Sequence, residues 1–136
     1  MMNSIKNSII NVDLKTLETI IKSIKNSNVY IVKIKGEMIQ CWEDYIFEIQ
    51  NKFNFPTSCL DSVDRYLDWM RDLQWIIEEK IVLVIYNYKC FLRNNTKLKN
   101  ELILDFKEVI LPYWEGEVKA EVVEGVPRSH TIYLVD

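Results

Sequence analysis

Ile81-Val82-Leu83-Val84-Ile85-Tyr86 decides the fold class. The run has the length of a strand, is apolar throughout and is rich in β-branched residues, as a strand covered on both faces must be. Upstream, Tyr30, Val32 and Ile34 alternate with Ile31, Lys33 and Lys35 and predict another strand, ended by Gly36. Downstream, Thr131 to Val135 predicts a last one. The stretches between and before these strands have helical spacing. Asp13 is placed to cap a helix running to about Asn26, with Leu14, Leu17, Ile20, Ile21 and Ile24 on one stripe and Lys15, Lys22 and Lys25 outside it. A second helix fits Gln40 to Phe53, and Pro56 stops any continuation. A third fits Leu60 to Trp75. Tyr88 to Arg93 fits a short helical turn, and Asn94-Asn95-Thr96 a turn and cap before a helix over Lys97 to Leu111, ended by Pro112. Glu115 to Pro127 reads as irregular or as a small extra strand.

Strands separated by helices predict an α/β fold: a small, three-stranded parallel sheet packed with helices. The polar break Asn26-Ser27-Asn28 divides the chain into an N-terminal helical extension, 1–28, and a body, 29–136. The Leu/Ile stripe of the extension is expected to pack on the body or to pair two chains; binding to a membrane surface would need a stronger cationic face than three lysines.

The composition removes several chemistries. The 136 residues hold three glycines, too few and too scattered for a Gly-rich phosphate loop, and one histidine, so a poly-His metal site is excluded. Cys41, Cys59 and Cys90 form no C-x-x-C and read as reduced thiols of a cytoplasmic protein. No run of about 18 apolar residues is present to cross a membrane, and Met1 to Asn11 lacks the apolar core of a secretory signal. No cofactor and no metal are expected. The net charge of −3 is unevenly spread: +4 over residues 1–35 and −7 over residues 36–136. An acidic body repels nucleic acid more than it attracts it, but attracts proteins that bind nucleic acid.

The acidity gathers in the third helix. At about 100° per residue, Asp61, Asp64, Asp68 and Asp72 fall within an arc of about 80°. Val63, Tyr66, Leu67, Met70 and Leu73 occupy the opposite side and predict a core-facing stripe. From Thr57 to Glu79 there are six acidic residues against Arg65 and Arg71, so the stripe is expected to stay negative. The plain reading of such a face is solvation. The functional reading is a docking surface for a basic protein. A nuclease site is built to bind phosphates, and a rigid row of carboxylates can stand in for them, speed encounter and form charge-assisted hydrogen bonds.

Gly36 through Leu73 resembles the barstar family, intracellular inhibitors of the secreted ribonuclease barnase. The resemblance lies in a strand ending Ile34-Lys35-Gly36-Glu37, a helix, the corner Phe53-Asn54-Phe55-Pro56, and the helix Asp64-Arg65-Tyr66-Leu67-Asp68-Trp69-Met70-Arg71-Asp72-Leu73. It covers about residues 29–136 and leaves 1–28 outside. It implies that the paired inhibitory aspartates are Asp64 and Asp68, that Asp61 and Asp72 extend the field, and that Leu67 with the Ser58-Cys59-Leu60 loop supplies shape. It further implies a ribonuclease inhibitor or immunity protein, not an enzyme, whose partner is a basic nuclease or another toxin protein. Where the family carries aromatics and Gly-x-Asn, this chain has Ser58-Cys59-Leu60-Asp61-Ser62; Leu67 stands for a Trp and Trp69 for a Cys. The alternative is therefore a barstar-like interaction module with a non-nuclease partner. An acidic residue of the last helix also belongs to the family's contact, and Glu108 is the candidate, against solvated surface; Phe106, Val109 and Ile110 read as core.

Other residues carry less. Ser129-His130 lacks a third catalytic member and an oxyanion loop. Trp42, Trp69, Trp75 and Trp114 are candidate partner anchors, with Trp42 reading as core and Trp69 lying between the acidic and apolar sides.

Overall fold

A computed structural model describes residues 8–115 and 128–136. Four strands, not three, form one sheet: β1 (Ser8–Val12), β2 (Val29–Lys35), β3 (Lys80–Tyr86) and β4 (Ser129–Val135), in the order β1-β4-β3-β2, with every neighbouring pair parallel. The additional strand comes from the N-terminal segment. Its five residues pair along their whole length with β4, from Ser8 opposite Thr131 to Val12 opposite Val135. It escapes a pattern reading because Ser8-Ile9-Ile10-Asn11-Val12 is short and does not alternate, as an edge strand need not.

Helices α1 (Leu14–Ile24), α2 (Trp42–Lys52), α3 (Val63–Asp72), α4 (Thr96–Asp105) and α5 (Leu111–Glu115) complete the described chain, with short 3-10 turns at Gly36–Met38 and Tyr88–Cys90. Asp13 caps α1 by accepting from the Thr16 N–H at 2.7 Å, and the Thr16 side chain, together with that N–H, holds its carboxyl below the usual carboxylate range. Asn95 caps α4 through Leu98 N–H at 3.2 Å.

The pleat of β3 divides the interior in two. Ile81, Leu83 and Ile85 face α2, α3 and the α4–α5 segment, joining Tyr45, Ile46, Ile49, Tyr66, Met70, Leu102 and Phe106 in the main core. Val82 and Val84 face the other way, where Leu17 of α1 closes over them with Val135. The solid apolar run thus has the double cover its composition demands. Of the α1 stripe, Leu17 is buried on the body and Ile21 and Ile24 pack there half-buried, while Leu14 stays 50 % exposed. Gly36 is required by close approach: a Cβ would lie 2.5 Å from both Tyr86 O and Asn87 O.

Three boundaries depart from expectation. The third helix is shorter than Leu60 to Trp75: Ser62 caps it and Leu73, at φ 46°, ends it in the left-handed region. Asp61 consequently precedes the helix. Pro112 does not end the last helix. A π-helical segment, Phe106–Ile110, widens the path after α4, and Pro112 follows it as the second residue of α5, inside the continuing helical path. The reading of Glu115 to Pro127 lies outside the described residues except for Glu115, the last residue of α5.

Candidate partner-docking surface

The short loop before α3 is fixed from below. Gln50 on α2 accepts from the Cys59 N–H at 2.8 Å, Trp42 Nε1 donates to Leu60 O at 2.7 Å, and Arg65 Nη1 donates to Ser58 O at 2.9 Å. Trp69 Nε1 donates to Thr57 Oγ1 at 3.0 Å and packs edge-on to Trp75, centroids 5.5 Å apart. Ser62 Oγ then accepts from the Arg65 N–H at 3.1 Å and starts the helix. Beneath α3, the hydroxyls of Tyr45 and Tyr66 share a hydrogen bond of 2.6 Å in full burial, which raises both phenols well above their ordinary range. Trp114 Nε1 donates to Met70 O at 3.0 Å. The helix is therefore a rigid platform.

Its outer side carries the acidic residues. Asp64 and Asp68 are exposed one turn apart, with Asp64 in the first turn, where the helix dipole favours a negative charge. Asp61 lies just outside the N-cap and Asp72 is half-buried at the other end. Two carboxylates of the stripe are paired, Arg65 Nη1 standing 3.7 Å from Asp61 Oδ1 and Arg71 Nη2 2.7 Å from Asp68 Oδ1, and two arginines against four aspartates leave it negative. Both pairs follow the i,i+4 and i,i+3 spacings of a helix surface, a signal present in the sequence. Among the described residues, Asp64 has no ion-pair partner.

The shape residues divide. Ser58 and Leu60 are exposed, but Cys59 is fully buried in the main core, and burial pushes its thiol pKa up; it presents no surface and is a poor nucleophile. Leu67 is half-buried against the core. Val63, expected inside, is 48 % exposed, as is Leu60. Thr57, Ser58, Leu60, Asp61 and Arg65 surround an open hollow. Glu108 is exposed, Phe106 and Ile110 are buried, and Val109 is half-buried. Trp42, Trp69 and Trp75 are half-buried and Trp114 is buried, so each indole is committed to packing and to the hydrogen bond of its N–H.

A feature without local signal supports the far end of α3. Arg128, just before β4, donates from Nη1 to Leu73 O at 3.3 Å, from Nη2 to Ile76 O at 2.7 Å and Glu78 O at 3.1 Å, and lies 5.0 Å over the Trp114 ring. Burial lowers its pKa, opposed by Glu78 and Asp72.

Over residues 29–123 the chain matches the family model "Barstar (barnase inhibitor)". The chain belongs to the barstar family. The matched span takes in β2, α2, α3, β3 and the α4–α5 segment, while β1 and α1 precede it. No curated protein matches the chain. Among solved structures it is similar to a chain in Drosophila ORC bound to AT-rich DNA and Cdc6, at TM-score 0.55 and 14% identity, covering 96% of this chain and 40% of that one. It is also similar to Aeropyrum pernix ORC2 in its ADP form, at TM-score 0.50 and 11% identity, covering 98% and 36%. The chain thus spans well under half of those proteins, and at such identities the likeness is one of fold alone. The described residues hold no helix long and apolar enough to cross a membrane.

Proposed function

We propose that this chain is a stoichiometric inhibitor of a basic nuclease or related toxin, acting inside the cell and without catalysis. The observation that carries the reading is the placement of Asp64 and Asp68, the positions matching the family's aspartate pair, one turn apart on the outer side of a helix fixed from beneath. A basic, phosphate-binding site meeting this surface exchanges its phosphate ligands for carboxylates, and the pre-fixed helix spends little entropy in docking. Asp61 and Asp72 extend the field, while Leu60, Val63 and Ser58 supply the shape at one end. His130 takes no catalytic part: it is buried among aromatic rings away from this surface.

The test is titration of the protein into barnase, and into the product of any nuclease-like gene encoded beside its own, with RNA cleavage as readout. Inhibition should saturate at one inhibitor per enzyme. Asp64→Asn and Asp68→Asn should each weaken inhibition by about ten- to a hundred-fold, the range of a charge-assisted hydrogen bond, with an unchanged melting temperature. Loss of stability in place of loss of inhibition would make the stripe a structural feature. A second reading, an interaction module whose partner is not a nuclease, is favoured by the loop itself: Ser58-Cys59-Leu60 offers no aromatic group and turns its central residue inward. Absence of inhibition and of any complex with either nuclease would select it.

A further inference from the structure

The two aspartates of the pair are not equivalent in this chain. Asp64 has no ion-pair partner among the described residues, whereas Asp68 accepts from Arg71 Nη2 at 2.7 Å. The Arg71 side chain is not a loose surface group. Its Nε donates to Leu67 O at 3.1 Å, its guanidinium lies 5.8 Å from the centroid of the Tyr113 ring, and it is 34% exposed against 70% for Asp68. Held on three sides, the fork stays in place when a partner approaches. A cation brought to Asp68 therefore meets a fixed positive charge beside it, and like charges set side by side at a contact are a means of rejecting a partner.

We infer that Arg71 is a specificity-determining residue of α3: it masks Asp68, leaves Asp64 as the first anchor for a cation, and selects a partner surface that pairs a cation for Asp64 with an acceptor, such as a carboxylate, for the Arg71 guanidinium. This rests on α3 being the docking surface. A basic site that also holds an acid–base carboxylate, as phosphodiester cleavage employs, fits the pattern; a uniformly basic surface does not.

The test uses the full chain and two labelled peptides, hexa-arginine and an alternating Arg-Glu peptide with six arginines. Arg71→Gln should tighten hexa-arginine by about two- to five-fold, the range of an exposed ion pair, and should leave the alternating peptide unchanged or weaker. In an Asp68→Asn background the gain should vanish, because the mask has nothing left to cover. Asp64→Asn should weaken hexa-arginine more than Asp68→Asn does. Should Arg71→Gln lower the melting temperature by more than a few degrees, Arg71→Lys replaces it, with the same coupling at smaller size, since an ammonium cannot hold Leu67 O and Asp68 together. An equal gain in both backgrounds, or no gain, overturns the inference while leaving α3 as the docking surface. If neither aspartate substitution weakens hexa-arginine, the docking surface itself falls, and the inference with it.

Discussion

His130 is the chain's single histidine, and β4 carries it into the main core. The rings of Phe53, Phe106 and Trp114 lie 6.3, 6.3 and 6.2 Å from it, and burial, with a lesser push from the Arg128 charge, moves its pKa down to about 3. In the unfolded chain the same imidazole takes a proton below its ordinary value of 6.5. Between those two values the unfolded state binds a proton that the folded state refuses, so stability is full above pH 6.5 and falls as the pH drops, by about 1.4 kcal/mol per unit. Urea unfolding at pH 7.5 and 5.5 should therefore differ by about 1.4 kcal/mol. His130→Phe, which does not titrate, should lose that difference even if it is less stable at both values. The sequence shows His130 beside a strand and no more; its ring neighbours come from the corner after α2 and the α4–α5 segment, and only the assembled fold reveals that it is core. Arg65 and Arg71 are a different case: their partners lie three and four residues away, so their pairing is legible in the sequence alone.

At the scale of elements, local signals serve well wherever a local cause fixes the outcome. Asp13, Ser62 and Asn95 are caps because their side chains reach an N–H three residues on. A helical wheel that aligns four aspartates misplaces Asp61, since Ser62 caps α3 and the helix starts after it, and it puts in the core Val63, which as the first helical residue is 48 % exposed. The segment between α3 and β3 has no legible local cause at all. It is held by Arg128, which is 55 residues from Leu73 along the chain. One planar group there satisfies the carbonyls of Leu73, Ile76 and Glu78. An ammonium cannot reproduce that fork. Arg128→Lys is expected to cost about 1–3 kcal/mol through the carbonyls of Ile76 and Glu78, which lose the guanidinium, while Leu73 O keeps the Ile76 N–H. Amide exchange should quicken over residues 73–79 and remain slow in the first turn of α3, where Ser62 and the loop bonds act. Uniform quickening across α3 would show that Arg128 supports the whole helix and not its C-terminal end alone.

Across the whole molecule, the sheet separates two surfaces of opposite character. α3 and its aspartates lie on the side of Ile81, Leu83 and Ile85; α1, with Lys15, Lys22 and Lys25 exposed, lies on the side of Val82 and Val84, which it shares with the exposed Lys33 of β2. The uneven charge of the sequence is thus a spatial separation, and a basic partner is steered to one side, so association with it should slow as salt rises. The same geometry bears on the N-terminal segment. The family match begins at residue 29, yet β1 supplies an edge strand to β4 and α1 covers an apolar face that nothing else among the described residues covers. Removing residues 1–28 would expose Val82, Val84 and Val135 and leave β4 unpaired on one side. At about 1.5–3 kcal/mol for each such side chain, the loss is comparable with the whole stability of a small domain. We therefore expect the truncated chain to be unfolded or aggregated, by circular dichroism and sedimentation, at concentrations where the full chain is folded. A truncated chain that melts cooperatively near the full chain's temperature would show instead that 29–136 is self-sufficient and that β1 and α1 were added to a domain already complete.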